Sequence, residues 1–194
     1  MTEPTGSLYV ISGPSGVGKG TVCKALLACD DSLAYSISAT TRAKRVGEID
    51  GVHYHFLSKE DFLQRVERGE FLEWATVYDN YYGTLKSFVQ QKMDAGQDVI
   101  LEIDTVGAKQ VRDLMPEAVL IFLEPPSAEE LLHRLQGRDT DSAEEIAKRH
   151  KCLDYELSQR VYYNYTVLND RVERAVEEIR GIVASRRSQN GGQK

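Results

Sequence analysis

The chain has 194 residues, 41% of them hydrophobic and 28% charged, enough for one compact domain with its own core and room for small sub-lobes. A formal net charge of −6 argues against a general electrostatic hold on nucleic acid or an anionic membrane, so an anion site has to be local. Three cysteines, Cys23, Cys29 and Cys152, form no CxxC pair and argue against a disulfide framework or a zinc site. With no apolar run of membrane-spanning length and no signal-like N-terminus, the cytoplasm is the expected location.

In chain order, LYVIS (8–12) is a short β-branched run that predicts a buried strand, and a helix is expected from about Lys19. YSISAT (35–40) predicts a second strand. The texture then changes. Strand-like HYHFL and FLEWATVY enclose the helical SKEDFLQRVERGE, which predicts an inserted α+β lobe over residues 37–90. DVILEID, AVLIFLE and YTVLND predict three more strands, with a helical, partly basic insertion over 127–160 between the last two. Ser58 with Asp61, Ser127 with Glu130 and Ser142 with Glu145 have capping-box spacing and predict helix starts. The alternation predicts an α/β fold in which a parallel sheet is crossed by right-handed helical connections. Its core is expected over 7–36, 91–126 and 161–187, with the tail from 188 disordered.

Between the first strand and the first helix lies SGPSGVGKGT (12–21), close to the phosphate-loop pattern G-x-x-x-x-G-K-[ST]. In that setting the backbone amides of Gly13, Pro14, Ser15, Gly16, Val17, Gly18, Lys19, Gly20 and Thr21 surround bound phosphates, apart from Pro14, which has none. The Lys19 ammonium neutralises charge on the β and γ groups. Gly20 stands where a hydroxyl residue is usual. It is read as allowing close backbone approach to phosphate, with Thr21 offering a hydroxyl one residue on. A bare strand-to-helix turn has no need of Lys19 beside three glycines.

The phosphate acceptor has to be read elsewhere. SISATTRAKRVGE (36–48) concentrates Arg42, Lys44 and Arg45 in an acidic chain, and FLEWATVYDNYYGT (71–84) places Glu73, Tyr82 and Thr84 in one strand-and-turn unit, with Tyr54 nearby in GVHYHF. Arginine forks and tyrosine hydroxyls suit a phosphate, whereas a carboxylate with hydroxyls suits a base edge.

These stretches, with ILEID, FLEPPS, RLQGR and LND, resemble guanylate kinases over about residues 7–185. The resemblance implies a phosphate-loop core, a lobe for the nucleoside monophosphate over 37–90 and a lid over 127–160. It implies transfer of a phosphoryl group from ATP, with Mg2+, to GMP and dGMP. By position, Arg42, Arg45, Tyr54 and Tyr82 would hold the GMP phosphate, while Ser38, Glu73, Thr84 and Asp104 would read guanine. Asn169 would lie on the adenine side. Lys19 and Arg42, with Arg134, Arg138 and Arg149 from the lid or hinge, would neutralise the transferring group. Where many members read Asp-Ile-Asp-x-Gln-Gly, this chain has Glu102, Ile103, Asp104, Thr105, Val106 and Gly107, so an amide contact at Val106 is lost.

Other classes stay open at this point. A guanylate-kinase-like protein-binding module usually has a degraded phosphate loop, whereas Gly13, Gly18 and Lys19 are intact. A related kinase of a phosphorylated sugar would keep the loop but has no use for Ser38, Glu73 and Thr84. A GTPase leaves the acceptor lobe unexplained. No nucleic-acid or membrane partner is expected, and a homo-oligomer is compatible with the sequence.

Overall fold

The run LYVIS is strand β1 (Leu8–Ser12), buried along its whole length. A computed structural model describes residues 6–77, 79–135 and 153–191, and in it β1 is the middle of a five-stranded parallel sheet. From edge to edge run β2 (Leu33–Tyr35), β7 (Asp98–Glu102), β1, β8 (Val119–Glu124) and β9 (Tyr165–Leu168). Successive side chains of β1 point to opposite faces, so each face has its own core. Tyr9 and Ile11 pack with α1 (Lys19–Cys29) and α7 (Val172–Gly191) through Leu26, Ile179 and Val183. Leu8 and Val10 pack with α3 (Lys86–Asp94) and α4 (Thr105–Leu114) through Val89 and Val111. Each such buried aliphatic side chain contributes about 1.5–3 kcal/mol.

A smaller mixed sheet has the order β4 (His55–Phe56), β3 (Ala39–Thr40), β6 (Asn80–Leu85), β5 (Phe71–Val77). Helix α2 (Lys59–Glu67) covers it with Phe62, fully buried and stacked on Phe71 at 4.3 Å between ring centroids. Ser58 starts α2 as its spacing predicts, accepting from Asp61 N at 3.0 Å and donating to Asp61 Oδ2 at 2.7 Å. Ser127 starts α5 (Ala128–Leu135) in the same way, accepting from Glu130 N at 3.0 Å. The pair Ser142 and Glu145 lies outside the described residues.

Three sequence expectations change. YSISAT is not one strand: Tyr35 ends β2 in the large sheet, and Ala39 begins β3 in the small one. The chain crosses between sheets at Ser36–Ser38, because β7 and β6 each offer a free edge to one end of the run. The core also resumes at Lys86 rather than residue 91, since Val89 is buried against Leu8. Finally, residues 188–191 are helical rather than disordered: α7 runs on to Gly191, past an Arg187 tied to three partners. Past α5, the described chain restarts with helical residues 153–158, α6, and a 3-10 turn at Gln159–Tyr162. Among the described residues no helix is long and apolar enough to cross a membrane.

Candidate active site

Functional side chains gather where the strands of the large sheet end, the usual place for ligands in parallel sheets. Residues 13–18 follow β1 and turn into α1. Gly18 enters that helix at φ 98°, where a Cβ would also lie 2.9 Å from Asn169 Nδ2, so only glycine fits. Asn169 follows β9 and is 4% exposed; its Nδ2 donates to Val17 O at 2.8 Å and its backbone N to Glu124 O at 2.8 Å. It therefore braces the loop from behind. Gly13, Pro14 and Val17 are buried, while Ser15, Gly16, Gly20 and Thr21 face outward. No acidic residue occupies the first turn of α1, which leaves the positive end of that helix for an anion.

Lys19 folds back over the loop, its Nζ donating to Gly13 O at 2.8 Å and Pro14 O at 3.0 Å. Burial lowers its pKa, while Glu156, Glu102 and Asp104 pull the other way. The ammonium borders a cavity of about 210 Å³. Lys19, Ser38, Tyr54, Glu73, Tyr82 and Asp104 line it, so six of the residues singled out in the sequence converge from the loop, both sheets and the end of β7.

Glu73, on β5, is 5% exposed and lines the cavity. Thr84 on the neighbouring β6 donates its hydroxyl to Glu73 Oε1 at 2.7 Å. Glu73 Oε2 lies where a side chain on Gly107 would be, 2.6 Å from that residue's ideal Cβ. Burial pushes the Glu73 carboxyl up to about 7, with the Thr84 hydroxyl opposing it. Thr84 thus stands behind Glu73 and does not line the cavity. Asp104 caps α4, accepting from Gly107 N at 2.8 Å. Val106 is 51% exposed and does not line the cavity, so the departure from the family pattern there falls outside its wall.

The basic turn sits at the rim. Arg42 pairs with Glu48 at 2.7 Å and lies over the Tyr54 ring at 5.5 Å from its centroid, while Tyr54 and Tyr82 meet edge to face at 6.0 Å. Arg45 is exposed, and its backbone N donates to Glu48 Oε2 at 2.8 Å. Bonds from Arg42 and Arg45 pull the Glu48 carboxyl down to about 2. Neither arginine lines the cavity in this arrangement. Arg134 is a position on α5 whose side chain lies outside the described residues, as do Arg138 and Arg149 altogether.

Four functional neighbours escape the sequence reading: Glu48, Tyr35, Glu156 and the placement of Glu102. Glu48 follows Arg45 by three residues, a spacing that signals a local turn contact. The other three depend on distant segments meeting. Glu102 ends β7 and lines the cavity; its Oε2 accepts from the Tyr35 hydroxyl at 2.9 Å. A Cβ on Gly20 would lie 3.3 Å from Glu102 Oε1. The extra methylene of Glu102 is thus spent reaching the first turn of α1. A side chain on Gly20 would meet this carboxylate first, so Gly20 also leaves room for Glu102 beside the loop.

Known proteins resemble the chain along nearly its whole length. The family model for guanylate kinase matches residues 5–186. A guanylate kinase of Caldanaerobacter subterraneus subsp. tengcongensis is 55% identical over 178 residues, covering 92% of this chain and 86% of that one. One of Clostridioides difficile is 49% identical over 188 residues, covering 97% and 92%. The crystal structure of guanylate kinase from Anaplasma phagocytophilum superposes with a TM-score of 0.77 at 33% identity, covering 96% of this chain and 88% of that one. With the family model spanning nearly the whole chain and relatives about half identical along it, the chain belongs to the guanylate kinase family.

Proposed function

We propose that the chain phosphorylates GMP, and dGMP, at the expense of ATP, giving the diphosphate and ADP. The observation that carries this reading is Glu73, a buried carboxylate in a cavity that the phosphate-loop lysine also lines. A carboxylate offers acceptors only. Guanine presents its N1–H and N2 amino group side by side and satisfies both oxygens, whereas adenine turns a lone pair toward the charge. Loss of such a polar match costs on the order of 10⁴ in selectivity.

On this reading Ser38 and Asp104 take the remaining polar edge of guanine, and Thr84 acts by aiming Glu73. Tyr54, Tyr82, Arg42 and Arg45 take the GMP phosphate, so the Arg42 guanidinium has to share itself between Glu48 and that phosphate. The amides of residues 13–21 and Lys19 hold the ATP phosphates, with Asn169 bracing the loop, and Arg134, Arg138 and Arg149 add positive charge. The second ionisation of a phosphate monoester lies near pH 6, so at neutral pH the GMP oxygen attacks γ-phosphorus without a protein base. The chain's work is to align two polyanions and offset the charge of the transferring group.

Among the described residues no cluster of three or more His, Cys, Asp or Glu side chains could cage a metal. On this reading a magnesium ion arrives with the ATP phosphates and water, and Glu102, beside the first turn of α1, would hold it. When bound, the ion neutralises charge on the β and γ phosphates.

A coupled assay with ATP, magnesium and a panel of acceptors tests the reading. GMP is expected to turn over at least 10³ times faster than AMP, CMP or UMP, and Lys19→Ala to lose about 10² or more in kcat. Comparable turnover of AMP, or a Lys19→Ala variant near wild type, refutes it.

A further inference from the structure

Glu156 reaches the phosphate loop from a distant part of the chain. Its Oε2 accepts from Ser15 N at 3.3 Å, and of the carboxylates near Lys19 it acts on the ammonium most strongly, ahead of Glu102 and Asp104. The placement is built. On α6, Leu153 is buried in the same cluster as Val17 of the loop, and Leu157 packs against that cluster one turn later. Glu156 stands between them, half-buried, and is thereby held against the loop at Ser15.

A backbone amide of the loop and the ammonium of Lys19 are the groups that bind a donor phosphate. Here one carboxylate already accepts from the amide and attracts the ammonium through space. Two anions cannot share that amide, since each would lose its own bond and face the other's charge in a partly desolvated setting. We propose that Glu156 is a competing anion at the donor site: its carboxylate holds the Ser15 amide until a nucleotide phosphate displaces it, and so it sets how tightly ATP and ADP are held. This rests on the reading of residues 13–21 as the ATP site. The consequence for the reaction is that a loop which returns to an internal carboxylate releases its product more easily than one which returns to water.

Titration calorimetry of the full chain with ATP, ADP and inorganic tripolyphosphate provides the test. Glu156→Gln keeps the shape and removes the charge. It is expected to tighten all three ligands by about threefold to tenfold, the worth of a long, partly exposed charged bond, while GMP affinity stays unchanged. Glu156→Asp keeps the charge but falls short of Ser15, and it should tighten them by a smaller factor, which keeps the idea testable if the glutamine variant melts early. Unchanged or weaker tripolyphosphate binding in folded Glu156→Gln overturns the proposal while ATP binding by the wild type stands. A wild type that binds ATP no better than Lys19→Ala removes the donor-site reading, and the proposal with it.

Discussion

Glu73 serves recognition at the expense of stability. Its carboxyl, ordinarily near 4.5, is pushed by burial to about 7 in the folded chain, so between those values the folded state holds a proton that the unfolded state has released. The stability linked to this group is therefore fully present below pH 4.5 and is lost as pH rises through 7. Guanine would reverse the balance, because two donors facing the oxygens favour the charged form. Glu73→Gln removes the titration and keeps an oxygen for the Thr84 hydroxyl. At pH 8 it should raise stability by on the order of 2 kcal/mol, or roughly 5 °C in Tm, and near pH 4.5 the difference should vanish. The same change leaves one guanine donor facing an amide N–H and should cost about 1–3 kcal/mol in kcat/KM for GMP. Melting curves across pH 4–8 beside GMP kinetics check both halves. A variant less stable than wild type at pH 8 contradicts the burial argument, and an unchanged kcat/KM removes Glu73 from the site.

The first helix shows how two elements constrain one residue. Gly20 lies in the first turn of α1, but what it faces is the end of β7, where the Tyr35 hydroxyl holds the Glu102 carboxylate. A serine at 20 meets that carboxylate at a tight but negotiable 3.3 Å and can donate a hydrogen bond to it, while recovering part of the roughly 1 kcal/mol that glycine costs a helix. Gly20→Ser is therefore expected to keep kcat within about tenfold, whereas Gly20→Leu, which drives Glu102 off Tyr35, should lose more than tenfold. Equal kcat in the two variants denies Glu102 a part in the reaction. Elements of this kind were partly legible. LYVIS, DVILEID and AVLIFLE are β-branched runs buried on both faces, and their pattern needs no partner to be read. The break in YSISAT was not legible, because it depends on which strand edges wait at Ile100 and Tyr82.

Across the whole molecule, the cavity could be foreseen residue by residue but not as a space. The motif positions fixed Lys19, Ser38, Tyr54, Glu73, Tyr82 and Asp104, and these do meet. Contacts such as Ser15 with Glu156, 141 positions apart, have no local pattern and arise only when helices pack. The C-terminal helix is held by the same sort of long tie. Arg187 donates from Nε to Asp98 Oδ2 at 2.7 Å, and its two terminal nitrogens reach Asp30 Oδ2 at 3.1 Å and Ser32 Oγ at 2.7 Å. One guanidinium thus joins the end of α7, the start of β7 and the turn after α1. Asp98 is 7% exposed and also accepts from Ser7 N at 2.7 Å, so removing the arginine leaves a buried carboxylate short of a countercharge. Because Arg187 itself is 40% exposed, the cost is discounted to about 2 kcal/mol, or roughly 4–8 °C in Tm. Arg187→Lys supplies a charge without the fork and should recover part of that loss. The tie lies at the strand ends opposite the site, so kcat at 25 °C should not move. Calorimetric melting of both variants decides it: an Arg187→Ala midpoint within 1 °C or so of wild type would mean that α7 is held by its apolar face alone, through Ile179 and Val183.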